Sequence, residues 1–280
     1  MGALLERWKT VEKTLRRAAK KITPDRVHDA RVAIRRMDAL LELLKSVAPA
    51  RAAAKLRKRL CKPLQRLGPV RDLHVQAEAL AALSAEYPQM DGVIARHARQ
   101  EKKAVRDARE YAESLRIKRL RKRWRAVVEE VGLQLANARQ DRHRAFAIAA
   151  LDQSFARVSE CRRAISSTDL GSIHRMRVAF KRFRYKAEVL QPLLRRAGPR
   201  LMSAMQSFQT RMGEVNDLHV LVGTITALRG KDARLGPVLD ELNRGLMLAA
   251  DGFVREADEV YRFWRTDFVP ERAVRVEESP

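Results

Sequence analysis

Apolar residues recur every three or four positions along most of the chain, the spacing of helices that bury one face. Ala30, Ala33, Met37 and Leu41 form one such stripe, and Met176, Ala179, Phe183 and Leu190 form another. No segment alternates apolar and polar residues as a half-buried strand does. Gly and Pro sit mainly between the periodic segments. They predict breaks at Thr23-Pro24, Val47-Ala48-Pro49, Gly68-Pro69, Tyr87-Pro88, Ser166 to Gly171, Gly198-Pro199, Gly213, Arg229-Gly230 and Gly236-Pro237. The pattern predicts an all-α fold, with a frayed polar tail over residues 271–280. The longest apolar run, Ala145 to Leu151, is too short to span a bilayer.

The pattern occurs twice. Val27 to Met37 reads like Ile173 to Phe183, an offset of 146 residues from His28 to His174. Leu67 to Val75 reads like Met212 to Val220, an offset of 145 from His74 to His219. Two separated matches at nearly one offset predict a duplicated unit. The expectation is one domain over residues 1–270 made of two repeats, about 1–140 and 141–270. Each is a bundle of about four helices, related to the other by a pseudo-twofold axis.

Charge changes the picture. The 280 residues carry 58 Lys and Arg against 34 Asp and Glu, a net charge of +24. That excess repels itself unless an anion is near, which points to nucleic acid, an anionic membrane surface or inorganic polyphosphate. Cys61 and Cys161 are too few for a disulfide scaffold or a zinc cluster and read as two buried small hydrophobes. The first ten residues lack the apolar stretch of a signal peptide, so a soluble cytoplasmic protein is expected.

On a helix of about 100° per residue, His28, Arg31 and Arg35 fall on one stripe, flanked by Arg36. His174, Arg177, Lys181 and Arg184 form the matching stripe, with Tyr185 beside it and Arg182 at its edge. Guanidinium and ammonium groups hold phosphoryl oxygens well, and imidazole adds a donor. A row of cations suits a repeating polyanion better than one small ligand. A solvated basic face is the bland alternative, and recurrence in both halves argues against it. Asp38 interrupts the first row where Arg184 extends the second.

Further cations follow. Arg51, Lys55, Arg59, Lys62 and Arg66 recur at near-helical spacing; Arg196, Arg200 and Arg211 match Arg51, Lys55 and Arg66, whereas Arg59 and Lys62 become Ala204 and Ser207. A third run, Arg116 to Arg125, has no counterpart and reads as a solvated face. Gly68 and Gly213 suit helix C-termini in left-handed geometry. Asp72 and Asp217 would then cap the next helix or orient an arginine. His74 and His219 could join the ligand surface or be satisfied inside the bundle.

The two His-x-x-Arg-Val-Ala-x-[Arg/Lys]-Arg segments, each followed by Gly-x-Val-x-Asp-Leu-His or its close variant, resemble the CHAD family, the conserved histidine α-helical domain. The resemblance runs from about Leu4 to about Phe268. It implies two four-helix bundles with a basic central cleft that binds polyphosphate, in some members on polyphosphate granules. The contacts it implies are His28, Arg31, Arg35, Arg36, His174, Arg177, Lys181, Arg182, Arg184 and Tyr185, with cations of neighbouring helices. Lys55, Arg59, Lys62, Arg66, His74, Arg200, Arg211 and His219 complete the candidate set.

No nucleophile with a base, paired carboxylates or Walker loop is evident, so no catalysis and no cofactor are expected. A metal role fits poorly, because His28 stands among arginines; His97 and His143 lie outside the motifs. Nucleic acid is the rival partner. At 5% aromatic residues the chain is short of stacking platforms, which favours a polymer without bases. No membrane partner is expected. The sequence is silent on oligomeric state.

Overall fold

Nine α-helices account for most of residues 2–136, 140–194, 198–229 and 232–264, which the computed structural model describes. They are α1 (Gly2–Lys20), α2 (Pro24–Val47), α3 (Arg51–Glu86), α4 (Asp91–Ser114), α5 (Ile117–Ala136), α6 (Gln140–Arg163), α7 (Leu170–Leu190), α8 (Pro199–Arg229) and α9 (Gly236–Glu256). Short 3₁₀ turns adjoin α4, α7, α8 and α9. The one β-bridge among the described residues is an isolated pair, Ser166 with Asp169. The fold is all-α, as the periodicity predicts. Arg196 and the tail after Pro270 lie outside the described residues.

The chain forms two compact units, Met1–Ala150 and Leu151–Pro280. In the first, α3 packs against α2, α4 and α5, while α1 packs against α2, α4 and α5. Trp8 of α1 stacks on Trp124 of α5 at 5.3 Å between ring centroids. Glu12 beside them binds Arg121 and Arg16, and the Arg121 hydrogen bond holds its carboxyl below the usual carboxylate range. In the second unit, α8 packs against α7 and α9. Its interior is a set of rings: Phe155, Phe180, Phe183, Phe208, Phe253, Phe263 and Trp264.

The starts of the two repeated helices follow from their sequence. Thr23 accepts from the Arg26 amide and Pro24 opens α2. Asp169 accepts from the Ser172 amide at 3.2 Å and opens α7. Ala50 offers α3 no side-chain cap. Glu130 of α5 supplies one, accepting from the Arg51 and Ala52 amides at 2.9 and 2.8 Å. Those two bonds, Ala52 first, hold its carboxyl below the usual range.

Two expected breaks do not occur. Helix α3 runs through Pro63, Gly68 and Pro69, and α8 runs through Gly213. Among the described residues no glycine has positive φ, so Gly68 and Gly213 end nothing and Asp72 and Asp217 cap nothing. Gly68 instead makes room for Arg31 of α2, whose Nη1 would stand 3.0 Å from an added Cβ. Conversely, α4 and α5 are separated at Leu115, which is extended at φ −73 and ψ 110 with neither Gly nor Pro to announce it. Cys161 is buried, but Cys61 is exposed, so only one of the two cysteines is a core residue.

Candidate anion-binding surface

The apolar stripes bury as the pattern requires: Ala30, Met37 and Leu41, and Met176 and Phe183, are all fully inside. This fixes the opposite edge of α2 and α7. On α2, His28 is exposed while Arg31, Arg35 and Arg36 are half-buried. On α7, His174 and Arg182 are exposed, Arg177, Lys181 and Arg184 half-buried. Tyr185 is buried, with the Arg184 guanidinium 4.8 Å from its ring centroid. It therefore supports Arg184 from beneath rather than standing beside the row.

Each row leans on the next helix in the same register. Arg31 Nη1 donates to the Leu64 carbonyl of α3 at 2.7 Å. A Cβ added to Gly68 would stand 3.0 Å from that nitrogen. In the second unit a Cβ at Gly213 of α8 would stand 4.0 Å from Arg177 Nε. In the first unit the glycine of the second motif is thus the seat of the arginine of the first, whereas Gly213 only lies next to Arg177 at ordinary contact distance. Asp72 lies 3.9 Å from Arg31 Nη2, too far for a hydrogen bond but close enough to orient it.

The histidines differ in their partners. His174 Nδ1 donates to Asn216 Oδ1 at 2.7 Å. The position equivalent to Asn216 is Arg71. Burial first, then the Arg71 charge, holds His28 below the ordinary imidazole range; Arg31 and Arg35 act the same way and Asp29 opposes them. Arg184 Nε donates to Gln209 Oε1 at 2.9 Å. Asp38, which interrupts the first row, is bound by Arg57 of α3 at 2.6 Å; the same guanidinium reaches Glu42 at 3.2 Å. Asp38 raises the Arg57 pKa most, and burial opposes it.

The remaining candidates stand elsewhere. At about 100° per residue, Leu64, Gly68 and Arg57 share one face of α3, and Lys55, Arg59, Lys62 and Arg66 share the face roughly half a turn away. The structure agrees: Arg57 and Gly68 meet α2, whereas Arg59 and Lys62 border a cavity with α4 and α5. Lys55 is exposed. In α8, Gln209, Gly213 and Asn216 face α7, while Arg200 and Arg211 lie on the other side. Arg200 is exposed; Arg211 is bound to Glu259, with Glu256 at 3.7 Å, and lies over the Phe208 ring. His74 is half-buried, 3.3 Å from Glu78 and 3.9 Å from Glu101, and His219 is exposed.

The third cationic run also divides. Arg121 binds Glu12, Arg116, Arg119 and Arg123 border the cavity, and Lys118, Lys122 and Arg125 are exposed. Arg57 and Tyr111 are the residues sequence reasoning missed. Arg57 lies one α3 face away from the cations that were counted. Tyr111 follows no motif at all.

A sequence model of the CHAD domain matches residues 1–226. The chain belongs to the CHAD family. Among solved structures, the CHAD domain from the plant Ricinus communis is similar, at 21% identity over 94% of this chain and 90% of that one, with a TM-score of 0.69. At that identity the likeness speaks for the fold. No curated protein matches the chain. Within this CHAD domain no described helix is long and apolar enough to cross a membrane. Among the described residues, no three His, Cys, Asp or Glu side chains gather as a metal site would need.

Proposed function

We propose that this CHAD domain binds inorganic polyphosphate without catalysis, through the cationic rows of α2 and α7. One observation carries the reading. The same His-Arg-Arg/Lys register recurs on the equivalent edge of both helices, and the acid that breaks the first row, Asp38, is neutralised by Arg57 from outside it. Arg31 is partly fixed by the Leu64 carbonyl of the next helix, so its guanidinium loses less side-chain freedom when a phosphate arrives. His28, Arg35, His174, Arg177, Lys181, Arg182 and Arg184 supply the rest, with His219 and Arg200 as outlying contacts. Coating of polyphosphate granules would follow from binding along a long chain.

The decisive variant is Arg35→Glu with Lys181→Glu and Arg182→Glu, which spares Arg31 and Arg177. Polyphosphate affinity should fall at least about tenfold at near-physiological salt, and the salt slope should flatten by roughly one per lost contact, because fewer counterions are displaced. Circular dichroism checks that helicity is kept. Single-stranded DNA of equal charge is the competitor. Retention of DNA as strong as that of polyphosphate would favour a general polyanion binder and sink the assignment. Tagged protein that stays diffuse in cells that make polyphosphate would remove the granule role.

A further inference from the structure

Away from the α2 edge, the first unit holds a cavity of about 280 Å³ between α3, the end of α4 and the first turns of α5. Arg59 and Lys62 border it from α3, and Arg116, Arg119 and Arg123 from the α5 side; Tyr111 of α4 is on its wall. No Asp or Glu is among its lining residues. We propose that this cavity is a second anion site, specific to the first unit, for a compact inorganic oligophosphate.

What sets these cations apart from the neighbouring basic surface is the recess they share. Arg116, Arg119 and Arg123 follow i, i+3, i+7 spacing on one side of α5, and Arg59 and Lys62 follow i, i+3 on α3. The two sets border one concave space, Arg123 half-buried and the other four exposed at its rim. Five like charges around one recess repel one another until an anion enters. Burial pushes the Tyr111 hydroxyl above its ordinary range, though Arg66 opposes this. The hydroxyl therefore keeps its proton and can donate to a phosphoryl oxygen.

Size and wall chemistry narrow the ligand. The volume falls just under the usual range for small-molecule pockets, so it suits a few linked phosphoryl groups and not a nucleotide. A single half-buried ring gives no platform for a base. The second unit has no equivalent, since Ala204 and Ser207 stand where Arg59 and Lys62 do. The ligand chemistry could come from a free short oligophosphate or from the end of a long polyphosphate chain. The site uses none of the α2 and α7 rows, so it stands or falls apart from them.

Titration calorimetry of the full chain with tripolyphosphate tests it. Arg119→Glu with Arg123→Glu should weaken binding at least about tenfold through lost charge-assisted bonds. Lys118→Glu with Lys122→Glu changes net charge equally but lies outside the lining and should have little effect. Equal losses from both pairs, or no loss from the first, would overturn the site. An independent measurement needs no variant: tripolyphosphate should slow acylation of the Lys62 amine while leaving Lys118 and Lys122 reactive. Protection by long chains that tracks the number of chain ends identifies a chain terminus as the ligand, and protection by tripolyphosphate alone identifies the free oligomer. Unchanged Lys62 reactivity with both refutes the proposal.

Discussion

Ile34 and Met37 of the first unit stand where Phe180 and Phe183 stand in the second, and all four are fully buried. One interior is aliphatic with a single tryptophan pair at its edge; the other is a cluster of rings in tilted and edge-on contact. Yet the outer edges of α2 and α7 keep one register: histidine, arginine three on, cation seven on, with a glycine of the following helix beside the arginine. Binary patterning decides which face turns inward, and many side chains can fill that face. What both units keep is therefore the surface feature that a core does not require. What they change at that surface, Asp38 against Arg184 and Arg71 against Asn216, sets each row's charge.

The largest test breaks the two interiors. Phe183→Ala removes a ring that touches Phe155, Phe180 and Trp264 and should cost about 4 kcal/mol; Met37→Ala should cost about 3 kcal/mol. Urea unfolding followed by tryptophan fluorescence reads both, Trp264 reporting the second unit and the Trp8–Trp124 pair the first. A larger loss at Met37 would mean that the rings do not dominate their unit.

Next comes the neutralised acid. Arg57→Met leaves Asp38 and Glu42 without their cation in a half-buried site, a loss of about 1–2 kcal/mol. It also bares a negative charge beside the first row, so polyphosphate affinity should drop although no row residue has changed. Unaltered affinity would place Asp38 outside the binding surface.

The two glycines give a smaller, opposed pair. Gly213→Ala has ordinary space around the new methyl and gains helix propensity, about 1 kcal/mol of stability. At Gly68 the methyl meets Arg31 Nη1 at 3.0 Å, so the bond to the Leu64 carbonyl must loosen and offset most of that gain. Equal thermal shifts for the two variants would refute the seat in the first unit.

The smallest effect concerns a proton. Arg71→Asn gives His28 the neighbour that His174 has, and its imidazole pKa should rise, as NMR titration would read. The sign follows from the lowered value. The folded, empty protein holds fewer protons at His28 than the unfolded chain does. Its stability therefore falls as pH drops through the ordinary imidazole range. A bound polyanion favours the charged ring, so affinity should rise as pH drops through that interval and level off once the ring of the empty protein is itself protonated. Pressing His28 toward its ordinary value should shift that rise to higher pH.

Helix positions, the buried stripes and the repeated cationic edge were legible because each depends on periodicity alone. The role of Gly68-Pro69 was not. A Gly-Pro pair signals a helix end, but it also allows close approach, and a helical proline frees a carbonyl layer. Here Arg31 takes the neighbouring Leu64 carbonyl and the helix continues. Nor could composition say that Lys55, Arg59, Lys62 and Arg66 face away from α2. That follows only once Gly68 and Arg57 are known to be the contact side. The recess beneath Tyr111 needed three helices to converge, one of them entered through a break at Leu115 that carries no signature residue. The pairing of Arg211 with Glu259 joins residues 48 apart and was equally hidden.

Cys61 is exposed on α3, within electrostatic reach of Arg57, while Cys161 is buried. These 280 residues therefore present one accessible thiol for maleimide coupling, without mutagenesis. A fluorophore attached there would sit on the helix that borders both the first cationic edge and the recess, so loading of either could be followed as a change in emission.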